Sequence, residues 1–517
     1  MYRGSEKQLK IVEFELPFEG NLSATNRWVV LSELVPWDIV EDEYFNFVSK
    51  KLGAPACSAR MAFASLIIKE RLDVSDRETV EMIVENPYLQ YFIGLKKYVF
   101  EAPFDPSMMV TFRKRFSAKG IQRINEELHK REMLSKARNE DDDPGESPDK
   151  RPDVESTTKQ EDDHTLNKGK LLLDATAVPS DITYPNDIKV LNSAREQTEK
   201  IIDQMHVCLP KGNKKPRTYR KRARKEFVVF SKKRRHSSSD IRKTRRKQLG
   251  YVERNLKSIA ALNKHVSFEV LEARLYKLLL VCTEVARQQR ILYDTRSTKI
   301  DDRIVNVFQP HIRPIKRGKA QASTEFGAKL SISLVDGYTF IDHMSFDNYN
   351  ESGDLIAAAE AYRKRFGSYP ESIHADKIYR NRANIAWCKA NHIRLSGPKL
   401  GRPAKLSAEE QLQQKQIQRQ DELDRIPVEG KFGQMKRRFG LDRIMTKLPR
   451  TTTSVIALTV FIANLEKVYK LALFFATYCI IYVAKLLVEL IMDSTKLDFT
   501  KNETTGGTQT KMLRFVS

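Results

Sequence analysis

The chain has 517 residues, which is too long for one hydrophobic core, so we expect two or three domains with linkers. Its formal net charge of +23 indicates a polyanionic partner, most often nucleic acid, although membrane-surface and ribosome-associated proteins are also basic. Five scattered cysteines without a C-x-x-C pair argue against a zinc finger and for a reducing, intracellular setting. The first ten residues, MYRGSEKQLK, contain no apolar signal core, which argues against secretion.

Residues 1–135 have the pattern of an all-α N-terminal domain. Helices are predicted at 61–71 and 76–85, and the pair Ser75 and Glu78 marks the start of the second. Two helices of this length with a short turn have helix-turn-helix proportions, so we expect this domain to bind DNA. Helix pairs of the same size also occur in bundles that do not bind DNA.

Residues 136–169 are acidic and contain almost no large apolar side chain, so this segment is predicted to be a disordered linker. After it, the apolar run KLLLDATAV at 170–178 predicts a buried strand with Asp174 near its exit. An aspartate after a strand can also serve only to cap the next turn.

Residues 190–310 are predicted to be helical and strongly basic, with the densest charge at 211–247. Neutralising phosphates releases counterions, so such a region grips nucleic acid without reading its sequence. A localisation signal or an RNA-binding tract would have the same composition. The candidate DNA contacts are Arg220, Lys221, Arg222, Arg245 and Arg246.

Strands return at 326–342, where an apolar–polar alternation is interrupted by Asp336-Gly337, a strong hairpin signal. A helix at 354–366, a strand that ends at Asp376, a helix at 384–391 and a short strand at 392–395 follow. Strands joined through helices predict an α/β fold with a mixed sheet. Asp376 would then lie at the C-terminal edge of that sheet, where α/β folds bind ligands and metals.

A third carboxylate follows a Gln-rich helix predicted at 407–424. Pro427 suits the first turn of a new helix, so Glu429 would lie where the helix dipole favours a carboxylate. Lys436 would share the face of Glu429, and Arg425 lies just upstream. The glutamate could also be a salt-bridged surface group. The apolar stripe that would pack this helix on the sheet consists of Val428, Phe432, Met435 and Phe439.

Asp174, Asp376 and Glu429 have the order expected of a two-metal polynucleotidyl transferase site. Hard carboxylate oxygens hold Mg²⁺ while leaving positions for a phosphate oxygen and the attacking hydroxyl. Two ions about 3.5–4 Å apart would stabilise both ends of an in-line displacement at phosphorus.

Three long blocks resemble DDE transposases of bacterial insertion sequences, within the ribonuclease H-like group. They are the N-terminal stretch at 85–107, the run YRKRFGSYPESIHADKIYRNR at 362–382, and the block at 424–444. The resemblance covers residues from about 10 to 467. It implies a transposase that binds the inverted repeats of its element, cleaves DNA with Mg²⁺ or Mn²⁺, and joins the freed ends to target DNA.

The resemblance also implies an arrangement of domains and partners. A ribonuclease H-like catalytic domain would span 170–468, interrupted by the basic helical insertion at 190–310. Asp174, Asp376 and Glu429 would be the catalytic and metal-binding residues. A homodimer on DNA, with no membrane association and a cytoplasmic, nucleoid-associated location, is expected.

The resemblance assigns DNA contacts beside the glutamate and also shows a departure. Arg425 and Lys436 match the basic positions of the wider tyrosine-arginine-glutamate-lysine signature and would contact DNA phosphates. Glu422 stands where that signature has its tyrosine.

Residues 469–517 would form an apolar helix followed by a disordered tail. The uncharged run after Lys470 has about 14 residues, too short to span a bilayer, so a buried or dimer-forming helix is expected. Two alternative functions stay open, a metal-dependent nuclease that does not join strands and a non-catalytic or decayed DNA-binding protein.

Overall fold

The computed structural model describes residues 10, 13–16, 20–47, 55–141, 167–210, 212–316, 324–398, 400–401 and 407–502. Most of the predicted acidic linker therefore lies outside the described residues. Its first residues, 136–141, belong to a helix.

The N-terminal part of the chain is helical. The predicted helices at 61–71 and 76–85 are confirmed, and the Ser75 hydroxyl caps the second by accepting the Glu78 backbone N–H at 3.2 Å. The helices are α1 (Arg27–Leu34), α2 (Trp37–Phe45), α3 (Ala59–Leu72), α4 (Asp76–Glu85), α5 (Pro87–Phe92), α6 (Met108–Arg115) and α7 (Ala118–Asp141).

A mixed six-stranded sheet follows, as the strand and helix order predicted. The long strand β1 pairs antiparallel with β3 and parallel with β5, which in turn pairs parallel with β6. Strand β3 also carries β2 and β4 as antiparallel neighbours. The strands are β1 (Lys170–Pro179), β2 (Arg313–Lys316), β3 (Thr324–Val335), β4 (Tyr338–Ser345), β5 (Ser372–His374) and β6 (Arg394–Leu395).

The predicted hairpin at Asp336-Gly337 is confirmed between β3 and β4. Both turn residues have positive φ, 47° and 77°, which matches the right-handed twist of the two strands.

Four helices lie between β1 and β2 along the chain and have apolar cores of their own. One of these cores joins Leu191, Val252 and Cys282, and a second joins Ile202, Ile259 and Leu279. The helices are α8 (Asp187–Val207), α9 (Arg220–Lys232), α10 (Ser238–Leu262) and α11 (Ala273–Asp294).

The C-terminal helices differ from the prediction at Pro427. We expected a new helix to begin there, but Pro427 lies inside a single helix that runs from a capping box at Ser407 and Glu410. The buried stripe after the proline offsets its missing hydrogen bond, since Val428, Phe432, Met435 and Phe439 are all buried. These helices are α12 (Asp354–Phe366), α13 (Arg382–Ala390), α14 (Ala408–Arg438) and α15 (Pro449–Asn502).

One continuous apolar core joins the N-terminal helices, the sheet and α15. At its centre a buried polar contact connects three elements. Asn464 on α15 donates to Asn125 Oδ1 on α7 at 2.9 Å and to the Thr339 carbonyl on β4 at 2.8 Å, and it accepts the Thr339 backbone N–H at 2.9 Å. The helices before the linker and the sheet are therefore packed directly against each other.

The apolar tail helix was predicted to be buried or dimer-forming; within this chain it is not buried, and the dimer-forming role stays a prediction. Helix α15 is buried as far as Val468, but Phe474, Tyr478 and Ile481 beyond it are exposed. The helix continues to Asn502, so residues 493–502, predicted as disordered, are helical. Residues 503–517 lie outside the described residues. Within the described part, Pro449–Lys485 is long and apolar enough to cross a membrane, a test that core helices of soluble proteins also pass.

We expect Asn464→Leu to destabilise the protein by about 2–4 kcal/mol, because the Thr339 backbone N–H and Asn125 Oδ1 would each lose a buried hydrogen-bond partner, while the Thr339 carbonyl keeps the bond from Asn125. The free energy of unfolding in urea measures this. Gln416→Leu, at an exposed position of α14, should change it by less than about 0.5 kcal/mol. Equal effects of the two variants would contradict this role of Asn464.

Candidate active site

The parallel pairing of β1 and β5 places the first two acidic residues at one edge of the sheet. Leu172 pairs with His374, so Asp174 and Asp376 each lie two residues beyond a paired position. Asp376 follows the end of β5 and caps a short 3₁₀ helix by accepting the Lys377 N–H at 2.8 Å. The predicted placement of Asp376 after a strand is confirmed.

Asp174 lies within β1 and is largely shielded from solvent. The pKa of its carboxyl is raised to about 6. Burial is the largest cause, and the charges of Glu351 and Asp376 act in the same direction. The N–H of Ala175 at 2.8 Å and the guanidinium of Arg425 act in the opposite direction. The environment of Asp174 thus disfavours an uncompensated negative charge.

Helix α14 brings the third carboxylate to the same edge because its buried stripe packs on β1 and β5. Since Pro427 does not start a helix, Glu429 lies inside α14 and the dipole of a first turn does not act on it. Arg425, one turn earlier, donates to Asp376 Oδ1 at 3.1 Å and to Glu429 Oε1 at 3.2 Å. One guanidinium thus bridges two of the three predicted catalytic carboxylates.

Lys436 fixes the other end of the helix to the strand. Its ammonium donates to Thr176 Oγ1 at 3.0 Å and to the Ala177 carbonyl at 2.9 Å. Charge-assisted bonds of this kind hold the register of α14 on β1, which in turn sets the position of Glu429.

The three carboxylates, Arg425 and Lys436 line one cleft of about 1000 Å³. The cleft also contains residues that the sequence did not single out. Glu351 pairs with Lys329 at 2.8 Å, and Lys329 donates to the Tyr349 carbonyl at 2.9 Å. The signal for Tyr349 and Glu351 in the sequence is the polar run FDNYNESGD directly after the predicted hairpin. Such a run does not by itself distinguish a functional site from an ordinary surface loop.

A buried histidine on the sheet contacts α14. His374 on β5 is fully buried, with its Nε2 3.0 Å from Ser372 Oγ and its Nδ1 3.5 Å from an Asp421 oxygen. Asp421, on α14, also accepts two bonds from Arg394 on β6, at 2.8 and 3.2 Å. These contacts join α14 to two strands, one helical turn before Arg425.

The donor chemistry of the cleft suits a hard divalent cation, since four carboxylates line it, Glu351 included, and a cationic group already lies between two of them. In the present arrangement, no three His, Cys, Asp or Glu side chains among the described residues are close enough to hold a metal ion. The side chains of Asp376 and Glu429 are 53% and 61% exposed, so both have room to rotate toward Asp174.

The predicted DNA contacts between β1 and β2 differ in their surroundings. Arg220 makes two bonds to Asp203, at 2.6 and 2.9 Å, and Arg245 lies half-buried, 3.3 Å from Asp187. Both therefore have packing roles within this helical region. Three residues of the set have exposed side chains, namely Lys221, Arg222 and Arg246.

Helix α4, the second helix of the pair with helix-turn-helix proportions, has a largely acidic surface. Its exposed residues include Glu78, Glu81 and Glu85 together with Arg77. Such a face would be repelled by DNA phosphates.

Comparison with known proteins adds evidence from related sequences. A family described as "Transposase DDE domain" matches residues 373–466, which include Asp376 and Glu429 but not Asp174. A family described as "Transposase domain (DUF772)" matches residues 16–115. A Rhizobium meliloti protein described as "Uncharacterized protein ORF8 in nfe locus" is 38% identical over 96 residues, which are 19% of this chain. The chain thus spans 46% of that relative, and no solved structure matches.

The raised pKa of Asp174 predicts a pH-dependent effect of removing its charge. The folded state binds the Asp174 proton more tightly than the unfolded state, so wild-type stability falls as pH rises from about 4 to about 6. The free energy of unfolding of Asp174→Asn minus that of the wild type should therefore be larger at pH 7.5 than at pH 4, by up to roughly 3 kcal/mol, when both are measured in EDTA. Thermal or urea unfolding at the two pH values measures this.

Asp424→Asn is the matched control. A hydrogen bond from Lys170 lowers the pKa of Asp424, so removal of this carboxylate should have the opposite sign and destabilise the protein at pH 7.5. A stability difference for Asp174→Asn that does not change with pH would contradict the raised pKa.

Proposed function

Since the chain belongs to the DDE transposases of insertion sequences, we propose that it cleaves the ends of its own element and joins them to target DNA. The observation that carries the proposal is the cleft where Asp174, Asp376 and Glu429 meet. Two of these residues fall within the matched DDE domain, and the sheet pairing brings the third beside them. The matched domain implies a ribonuclease H-like fold, in keeping with the mixed sheet.

Asp174, Asp376 and Glu429 would hold Mg²⁺ or Mn²⁺. When bound, the metal would polarise a phosphate oxygen and activate the attacking water or 3′-hydroxyl. The raised pKa of Asp174 fits such a role, because a buried carboxylate gains most from a nearby cation.

The basic residues of the cleft would act on the DNA. Arg425, now paired with Asp376 and Glu429, could exchange a carboxylate for a phosphate oxygen, since a guanidinium binds both groups in the same way. Lys436 is close enough to β1 to add positive charge beside the same phosphate. Glu422, at the position of the family tyrosine, would not supply an aromatic contact to the DNA.

The proposed domains form one architecture. Residues 1–135 would bind the inverted repeats, 136–169 would be a linker, and 170–468 would be the catalytic domain. The helices of the 190–310 insertion would grip phosphates. The acidic surface of α4 argues that the N-terminal part meets DNA through a surface other than this helix.

The proposed assembly and location follow from the reaction. Joining two ends at one target requires two active sites, so a homodimer on DNA is proposed. The protein would act in the cytoplasm, in association with the nucleoid.

Asp376→Asn and Glu429→Gln should each lower strand cleavage at least about 100-fold, because each removes a charged oxygen ligand from the site. Purified protein would be incubated with Mg²⁺ and a labelled duplex carrying one end of the element, and nicked and joined products would be separated on a gel. Binding of the duplex in EDTA should persist in both variants.

Glu422→Gln is the matched control, since it makes the same chemical change on the same helix, outside the cleft. It should retain cleavage. Nicks without joined products in the wild type would favour a nuclease, and DNA binding without any reaction would favour a decayed, non-catalytic protein. Unchanged cleavage in Asp376→Asn would contradict the assigned site.

The exposed cations of the insertion should contribute salt-dependent binding. Removing Lys221, Arg222 and Arg246 together by alanine substitution should reduce the slope of log K against log salt by up to about 2.7, or roughly 0.9 per phosphate contact. Fluorescence anisotropy with a labelled duplex, from 50 to about 300 mM salt, measures the slope. Arg245→Ala should instead lower thermal stability, because its partner Asp187 would lose a half-buried ion pair.

A further inference from the structure

A second cleft, of about 740 Å³, lies between the α3–α4 turn and the loop at 440–448 that follows α14. We call it the junction groove. Its walls come from residues 69–77 on one side and 440–448 on the other, with contributions from α6 and the start of α15. The groove therefore lies where the N-terminal helices meet the end of the active-site helix.

The loop of the junction groove is attached to the active-site strand. The Ile444 N–H donates to the Pro179 carbonyl at 2.9 Å, and the Asp181 N–H donates to the Ile444 carbonyl at 2.9 Å. Arg443 adds a bond from its Nε to the Asp181 carboxylate at 2.9 Å. The loop thus pairs with the chain immediately after the strand that carries Asp174, and its position is tied to that strand.

The groove and its rim carry an excess of accessible positive charge. Within the groove Lys69 is paired with Glu70, and Arg113 with Asp76. The exposed acids nearest in sequence to the loop and the turn are Asp442 and Asp73. Four further cations are exposed and, among the described residues, have no carboxylate within 4.0 Å, the limit for a salt bridge; one of them lines the groove, and the other three lie within three residues of a lining residue in the sequence. These are Arg437 and Arg438 at the end of α14, Lys447 in the loop, and Arg450 at the start of α15.

The spacing suits continuous DNA. Lys436 in the active-site cleft is followed in the sequence by Arg437 and Arg438, and Gly440, which lines the groove, comes two residues after Arg438. Asp181 at the loop lies four positions after Ala177 in the cleft, two residues beyond the end of β1, a span of about 13 Å if the chain stays extended. Successive phosphates of one DNA strand advance about 3.4 Å along the axis, so this span corresponds to about four nucleotides.

We infer that the junction groove and the cations Arg437, Arg438, Lys447 and Arg450 bind the phosphate backbone of duplex DNA adjoining the phosphate that reacts in the cleft. The inference rests on the proposed function and deepens it by assigning the surface that holds the flanking duplex. One duplex would then contact both the catalytic edge and the N-terminal helices, beside the α3–α4 turn and not along the acidic face of α4. These contacts are independent of the DNA sequence, because the arginine and lysine side chains bind phosphates and not base edges.

The test compares two double variants on the same helix. Arg437→Ala/Arg438→Ala removes two exposed charges just before Gly440, where the groove begins, and Lys415→Ala/Arg419→Ala removes two exposed charges from the N-terminal half of α14. Binding of the full-length protein to a fluorescein-labelled 30-base-pair duplex is followed by anisotropy in EDTA at several salt concentrations. Thermal unfolding of each variant shows whether it is folded.

The groove variant should reduce the slope of log K against log salt by about 1.8, whereas the control should leave it within about 0.3 of wild type. Arg437→Lys/Arg438→Lys, which keeps the charge, should restore most of the slope. Equal slopes for the groove and control variants, with a wild type that binds DNA, would overturn the groove and leave the proposed function standing. A wild type without salt-dependent DNA binding would overturn both.

Discussion

The packing of α14 on strands β1 and β5 is the constraint on which the site depends. Val428 and Met435 are fully buried on the sheet side of the helix, and Lys436 bonds to the edge of β1. Asp421 holds the preceding turns to β5 and β6 through His374 and Arg394. Because contacts above and below Arg425 and Glu429 fix the helix, neither residue can shift along the sheet without breaking buried interactions.

This rigid placement concentrates negative charge, and the structure compensates for it locally. Asp174 and Asp376 come from adjacent parallel strands, and Glu429 faces them from α14. Arg425 neutralises part of this charge by bridging Asp376 and Glu429. Asp174 is left without an ion pair to this guanidinium, and burial raises its pKa to about 6. The cleft is thus arranged to favour an additional cation, which is the electrostatic basis of the proposed metal chemistry.

The continuous core has a consequence for how DNA could be held. The contact of Asn464 with Asn125 and Thr339 ties α15, α7 and β4 together, and Arg71 on α3 pairs with Glu466 on α15. The N-terminal helices and the sheet edge that carries Asp174 and Asp376 are thus parts of one packed body, so a DNA duplex lying across both would meet a fixed surface. The helices between β1 and β2 have apolar cores separate from the main core, so that basic region is packed as a unit of its own.

Local sequence patterns determined several elements of this protein. The apolar run of β1, the Asp336-Gly337 hairpin and the helices α3, α4 and α12 depend on short-range propensity and turn chemistry, so they could be predicted. The placement of Asp376 directly after a strand and the buried stripe of α14 followed from the same reasoning.

Only the tertiary structure decided the rest, because those features depend on contacts between residues far apart in the chain. Pro427 stays inside α14 since packing on the sheet outweighs a local helix-breaking preference. Lys329 on β3 pairs with Glu351 at the cleft, and Arg425 bonds to one carboxylate 49 residues away in the sequence and to another four residues away. A single sequence supplies the residue types of the site, whereas strand pairing supplies their distances, burial and charge coupling.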